Sequence, residues 1–177
     1  MPKTPDPVST ADAEAFALAR GLVAGASHAA LAVIDPADGS PGISRIAFGR
    51  APDGGFLTLV SALAPHHGAL MAHPACALMF GEVGEKGDPL THPRLMVKAR
   101  AAFIAPDDPQ RPALRARWVE DHPKSKLYVD FADFAFVRLL PVSALLNGGF
   151  ARAYRFTAEE LLQAMQAAGD GTHHPRA

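Results

Sequence analysis

A single cysteine among 177 residues, Cys76, excludes an internal disulfide. It lies in an apolar, strand-like run and is expected to be an inert core thiol in a reducing compartment. Charge of one sign is lacking too: 17 Lys and Arg stand against 18 Asp and Glu, giving a net charge of -1. No global field recruits nucleic acid or an anionic membrane, so neither is an expected partner and any anion site must be local. No apolar run reaches membrane length, and Met1 to Asp12 is polar and proline-rich rather than a cleavable signal. The expected location is cytoplasmic. The chain also lacks an internal repeat, a Gly-x-Ser-x-Gly elbow and a P-loop, since Gly84-Glu-Lys-Gly87 is too short and carries acid where phosphate would lie. Eight histidines invite a metal, but His66 and His67 are neighbours that point apart on a helix and His73 precedes a proline. His28, His92 and His122 are isolated, and His173-His174 lies in the tail, so no metal is expected. No catalytic acid or base is assigned.

What is present is the balance of a soluble globular domain, with 49% hydrophobic and 20% charged residues. The reading is a flexible arm over residues 1–8, one domain over 9–169 and a disordered tail over 170–177. The organising stretch runs from Phe56 to Phe80. Leu57, Leu59 and Ser61 alternate with Thr58 and Val60, the period of a strand buried mainly on one face. Pro65 suits the first turn of a short helix, His66 to Ala72, which His73-Pro74 stops before Ala75 to Phe80 resumes as a strand. A loop opening a helix presents free N–H groups and the positive end of a dipole, so it suits an anion such as phosphate. Ser61, His66 and His67 could add donors. The alternative is an ordinary strand-to-helix connection.

Ahead of that stretch, Ser9 or Thr10 is placed to cap an amphipathic helix ending at Gly25. Ala29 to Ile34 and Gly42 to Phe48 read as strands joined by the Asp35 to Gly39 turn, with a second turn over Ala51 to Gly55. In the second strand Ile43, Arg45 and Ala47 share one face, while Ser44, Ile46 and Phe48 share the other. Short Asp/Gly turns mean an antiparallel meander and exclude a Rossmann-type domain. Beyond the stretch, Arg94 to Ile104 is a long strand that places Lys98 on a cationic face. A helix capped by Asp107 or Asp108, with Pro109 first, ends at His122-Pro123, and Lys124 to Tyr128 adds a helical turn. Phe134 to Leu140 is a strand, Pro141 interrupts it, and Val142 to Leu146 resumes before Asn147-Gly-Gly-Phe150. Thr157 and Glu160 form a capping box for a last helix that Gly169 closes. The expected fold is mainly β with inserted helices (α+β), six or seven antiparallel strands, enough to close a small barrel. Apolar faces around Phe131, Phe134 and Phe136 are expected to remain exposed and to mark a subunit interface.

In order, the motifs are ALAVID, the DG turn, SRIAF, DGG, LVSALAPHH, HPACALMF, GDPL, HPRLMVKARA, WVEDHP, YVDFADFAFVRL and NGGFARAY. This series resembles the FMN-binding split barrels related to pyridoxamine 5'-phosphate oxidase, and more narrowly their haem-utilisation branch. The resemblance covers about residues 13 to 156 and is most specific over Leu59 to Pro74, Asp130 to Leu139 and Gly148 to Tyr154.

The resemblance implies a homodimer that holds flavin mononucleotide (FMN) between its subunits and acts as an oxidoreductase on a small-molecule substrate. The alternative is a non-catalytic flavin- or haem-binding protein. By position, Arg45, Ser61 and His66 fall at the phosphate, and Ser44 and Ile46 pass the flavin ring through their backbone. Gly149, Phe150 and Arg152 approach the cofactor from the partner or the following loop, and Lys98 is a further candidate. Members usually continue His-Thr and then an asparagine where this chain has His66, His67, Gly68 and Ala69, so His67 stands in for a donor or the donor is missing. Haem-degrading members carry an extra C-terminal domain, and the expectation for this chain is no haem breakdown.

Overall fold

Alternate residues of His28–Ile34 are buried (Ala29, Leu31 and Val33), as its period of two requires. The structure, a computed structural model, describes residues 8–149 and 152–166. Among them the strands are β1 (Val8–Thr10), β2 (His28–Ile34), β3 (Pro41–Ala47), β4 (Gly49–Arg50), β5 (Phe56–Ser61), β6 (Ala75–Phe80), β7 (Arg94–Phe103), β8 (Phe134–Asn147) and β9 (Ala153–Thr157). The helices are α1 (Ala13–Ala24), α2 (Pro65–Ala72), α3 (Arg111–Asp121) and α4 (Ala158–Gln166). This is the expected mixed α+β split-barrel architecture, with nine described strands rather than six or seven because β1, β4 and β9 are short additions.

The hydrogen-bonded order is β1-β9-β8-β7-β6-β2-β3, with β5 on β8 and β4 on β5. The ladder does not close into a ring. It branches at β8 and has three ends, β1, β3 and β4, of which β3 and β4 are separated in sequence by Phe48 alone. Strand β8 carries two half-sheets: its first part, Phe134 to Leu139, pairs with β5, and its last part, Ser143 to Asn147, pairs with β9. Pro141 does not interrupt it as expected. It lies in the gap where neither β5 nor β9 pairs with β8, so on that side its missing N–H breaks no ladder bond. The register against β7 slips there, Lys98 opposing Ser143 and Ala99 opposing Pro141, which leaves Val142 as a bulge that bends the strand.

Strand β5 is buried on both faces, not mainly on one. Phe56 and Val60 enter the main core with Leu31, Leu78, Phe80, Val97 and Leu139. Leu57 and Leu59 enter a second core under α3 with Leu114, Trp118, Val129 and Phe136. Helix α3 is therefore a lid on the outer side of β5 and β8. A Cβ at Gly49 would come within 3.1 Å of Trp118 Cζ3, so glycine leaves room for the indole. His122 Nε2 donates to Phe48 O at 2.9 Å beside the same ring.

Other boundaries move for local reasons. Ser9 and Thr10 do not cap α1, because they lie in β1, paired in parallel with β9. The cap is Asp12, whose Oδ1 accepts from Ala15 N–H at 2.8 Å. Helix α3 begins at Arg111, while Asp108 Oδ1 accepts from Gln110 N–H at 2.8 Å in a turn before it. Phe136 is fully buried and Phe134 packs on Tyr128, which leaves Phe131 as the exposed member of the trio expected at an interface. The outer sheet face also exposes apolar residues, among them Ile43 at 78% and Met79 at 49%. Residues 1–7, Phe150, Gly169 and the tail fall outside the described residues.

Candidate functional site

Pairing of β5 with β8 sets Ser61 opposite Phe134, so the turn leaving β5 meets the residue preceding β8. Ala62 N–H donates to Asp133 O at 2.7 Å. Ser61 Oγ donates to Asp133 Oδ2 at 2.9 Å and accepts from Leu63 N–H at 3.2 Å. Ala64 N–H returns to Ser61 O at 3.0 Å, and His67 N–H to Ala64 O at 2.9 Å. Pro65 has no N–H, so His66 presents the first free helical donor of α2, whose cap residue Ala64 contributes no side-chain bond. The loop has the predicted strand-turn-helix shape, but much of its donor capacity is used internally.

Both histidines are half-buried. Burial, reinforced by the neighbouring His67, pushes the His66 imidazole below the usual histidine range and favours its neutral form. The His67 ring packs edge-on against Phe103, with centroids 5.1 Å apart. The sequence places both residues beside the loop, and the structure agrees.

Strand β3 supplies the complementary charge. Arg45 is exposed on the row of Ile43 and Ala47, and its guanidinium makes no hydrogen bond or ion pair with a described residue. Ser44 and Ile46 face the other way, with Ile46 buried. Thr58 Oγ1 donates to Ala47 O at 2.7 Å, tying β5 to the end of β3. Because β5 runs antiparallel to the β3–β4 direction, its last residues travel back along β3, so Ser61 and the Ser44 to Ile46 segment belong to one region. Among the described residues strand β3 ends the ladder, which leaves its second backbone edge without a paired strand beside Ser44 and Arg45.

Lys98 shares the outer sheet face with Arg45, since Arg45 pairs with Ala30, Ala30 with Met79 and Met79 with Met96, two residues from Lys98. Three strand spacings, about 14 Å, separate Arg45 from Met96, and Lys98 lies two residues further along β7. Ile43, Met79 and Arg100 complete an apolar face studded with positive charge.

Gly149 and Arg152 lie elsewhere. Gly149 has φ 117°, donates to Asn147 Oδ1 at 3.2 Å, and would bring a Cβ within 3.2 Å of Thr91 O, so the position demands glycine. Arg152 Nη2 sits 2.6 Å from Glu14 Oε1 on α1, and Glu14 with Tyr154 raises the arginine's already high pKa. The guanidinium therefore tethers α1 to the β8–β9 turn. Ser61 and Gly149 lie at opposite ends of the 14-residue β8. Sequence reasoning missed Asp133 as the partner of Ser61 and Glu14 as the partner of Arg152. Nothing in local spacing signals either pair, which strand register and helix docking create. Among the described residues no group of three metal-ligating side chains converges, and no helix is long and apolar enough to cross a membrane.

A sequence profile of the family described as pyridoxamine 5'-phosphate oxidase matches residues 17–146. The chain is 30% identical over 131 residues to the chloroplastic heme oxygenase HOZ of Arabidopsis thaliana, a match covering 74% of this chain and 39% of that protein. It thus spans about two fifths of the length of that relative. A heme binding protein from Mycobacterium smegmatis superposes with a TM-score of 0.74 at 23% identity, over 91% of this chain and 62% of that one. HutZ, the heme storage protein from Vibrio cholerae, superposes with a TM-score of 0.59 at 24% identity, over 72% of this chain and 86% of that one. These two show a shared fold. With the profile spanning nearly three quarters of its length, the chain belongs to the pyridoxamine 5'-phosphate oxidase family.

Proposed function

We propose that the protein is an FMN-binding flavoprotein of the cytoplasm, working as a homodimer and passing electrons between the flavin and a small substrate. The observation that carries this reading is the division of the candidate residues between the two ends of β8. Arg45, Ser61 and His66 lie toward one end and Gly149 and Arg152 at the other, so one ligand touching both sets requires two copies of the chain. The exposed outer face bearing Ile43 and Met79 offers apolar surface for such pairing.

The residues present suit the cofactor's charge. Arg45 is a planar guanidinium that engages no described residue and suits the phosphate, and the His66 N–H at the start of α2 is a second donor. The unpaired edge of β3 offers backbone N–H and C=O groups to the polar rim of a flavin ring. When bound, FMN supplies the two-electron redox chemistry. The protein orients it, neutralises its phosphate, and shields the ring from water where the two copies meet.

Haem binding is the second reading, favoured by the 30% identity to a chain described as a heme oxygenase. Titration of the purified protein with FMN, riboflavin and hemin, alongside sedimentation, separates the two. FMN saturating a dimer at one flavin per chain supports the first reading. A protein that ignores FMN and binds hemin stoichiometrically replaces it with the second. A monomer at micromolar concentration removes the two-chain site.

A further inference from the structure

Asp133 is the group in the Ser61 loop whose chemistry opposes a phosphate. Its backbone carbonyl accepts from Ala62 N–H, and its carboxylate accepts a hydrogen bond from the Ser61 hydroxyl at 2.9 Å. A hydroxyl has one proton to donate, and the Ser61 oxygen also accepts from Leu63 N–H. A phosphate oxygen can gain that proton only by displacing Asp133, and the two anions then face each other. Nearby Asp130 has its charge met by Arg115 Nε at 2.7 Å, whereas Asp133 forms no ion pair with a described residue. Asp133 is also half-buried, so solvent screens its charge less than at an open surface.

We propose that Asp133 is a specificity-determining residue that sets the charge of the ligand group accepted by the Ser61 loop and holds phosphate affinity down. The inference rests on reading Arg45 and Ser61 as the phosphate end of a flavin site. Arg45 attracts a phosphate and Asp133 repels it, so the native chain separates FMN from riboflavin by less than Arg45 alone would achieve. A neutral ribityl hydroxyl pays no such penalty, and it can donate to Asp133.

The test titrates FMN and riboflavin, by quenching of flavin fluorescence, against the native dimer, Asp133→Asn and Arg45→Ala. Asparagine keeps an acceptor for Ser61, so the loop stays held and the melting temperature is expected to stay within a few degrees of native. FMN should bind Asp133→Asn about tenfold more tightly, with riboflavin changed by less than about twofold. The gain should shrink as salt rises from about 0.05 to about 0.5 M. Unchanged or weaker FMN binding by Asp133→Asn, while Arg45→Ala still loses FMN selectively, overturns the role of Asp133 and leaves the phosphate reading standing. Equal tightening of both flavins assigns the effect to a loosened loop and also overturns it. If Arg45→Ala treats the two flavins alike, the phosphate reading falls, and the role of Asp133 falls with it.

Discussion

Replacing Arg45 or Ser61 by alanine separates a ligand contact from a fold contact, because the structure gives the two side chains different surroundings. Arg45 is exposed and engages no described residue, so its removal is expected to change the unfolding free energy by less than about 0.5 kcal/mol. Ser61 links the Asp133 carboxylate to the Leu63 N–H, and losing one charge-assisted and one neutral bond from a half-buried site should cost about 2 to 4 kcal/mol of stability. Binding reverses the order. A charge-assisted bond to phosphate contributes about 1.5 to 3 kcal/mol, so Arg45→Ala should weaken FMN by about tenfold to a hundredfold. Ser61→Ala should weaken FMN by less, since its hydroxyl already serves Asp133. Riboflavin, lacking the phosphate, should hardly respond to Arg45→Ala. Urea unfolding and flavin titration of the three proteins give both numbers. Equal losses of FMN and riboflavin on Arg45→Ala, or a large loss of stability, would refute the placement of a free phosphate-binding arginine.

Gly49→Ala should destabilise the protein by about 1 to 2 kcal/mol, because overpacking against buried Trp118 outweighs the small backbone gain from alanine. A denaturation midpoint equal to native would mean that the indole can shift. The folded His66 pKa lies below its ordinary value of 6.5, so the unfolded chain takes up the proton first on acidification. This group therefore costs nothing above about pH 6.5 and removes stability as pH falls from there through the folded pKa. His66→Gln should flatten that acid limb in urea midpoints measured from about pH 7 to 5, and an unchanged slope would exclude His66 as its source. Finally, mixing equal amounts of Arg45→Ala and Arg152→Ala chains should restore FMN binding at about a quarter of sites, because each mixed dimer carries one intact composite site. No recovery after verified subunit exchange would place both residues in the same half-site or remove one of them.

Local chemistry in the chain alone determined much of this protein. The alternation of Ala29, Leu31 and Val33 specifies a half-buried strand. Pro65 starts α2, and the reciprocal bonds of Thr157 and Glu160 (Thr157 N–H to Glu160 Oε2 at 2.7 Å, Glu160 N–H to Thr157 Oγ1 at 3.1 Å) form the expected capping box. The exposure of the Arg45 row was also legible, because a period of two assigns faces without reference to any distant residue. What only the tertiary structure decided depends on contacts between residues far apart in sequence. Ser9 and Thr10 have the chemistry of a cap, yet parallel pairing with Tyr154 and Arg155 claims them and leaves the cap to Asp12. Pro141 has the chemistry of a break, yet β8 passes through it because its unpaired side falls between β5 and β9. Ser61 has the chemistry of a free phosphate donor, yet strand register brings Asp133, 72 residues away, onto its hydroxyl. A side chain's capacity to donate or accept is local, but which partner reaches it first is set by the pairing of strands. That pairing is selected by burial summed over the whole core, which no short window of sequence contains.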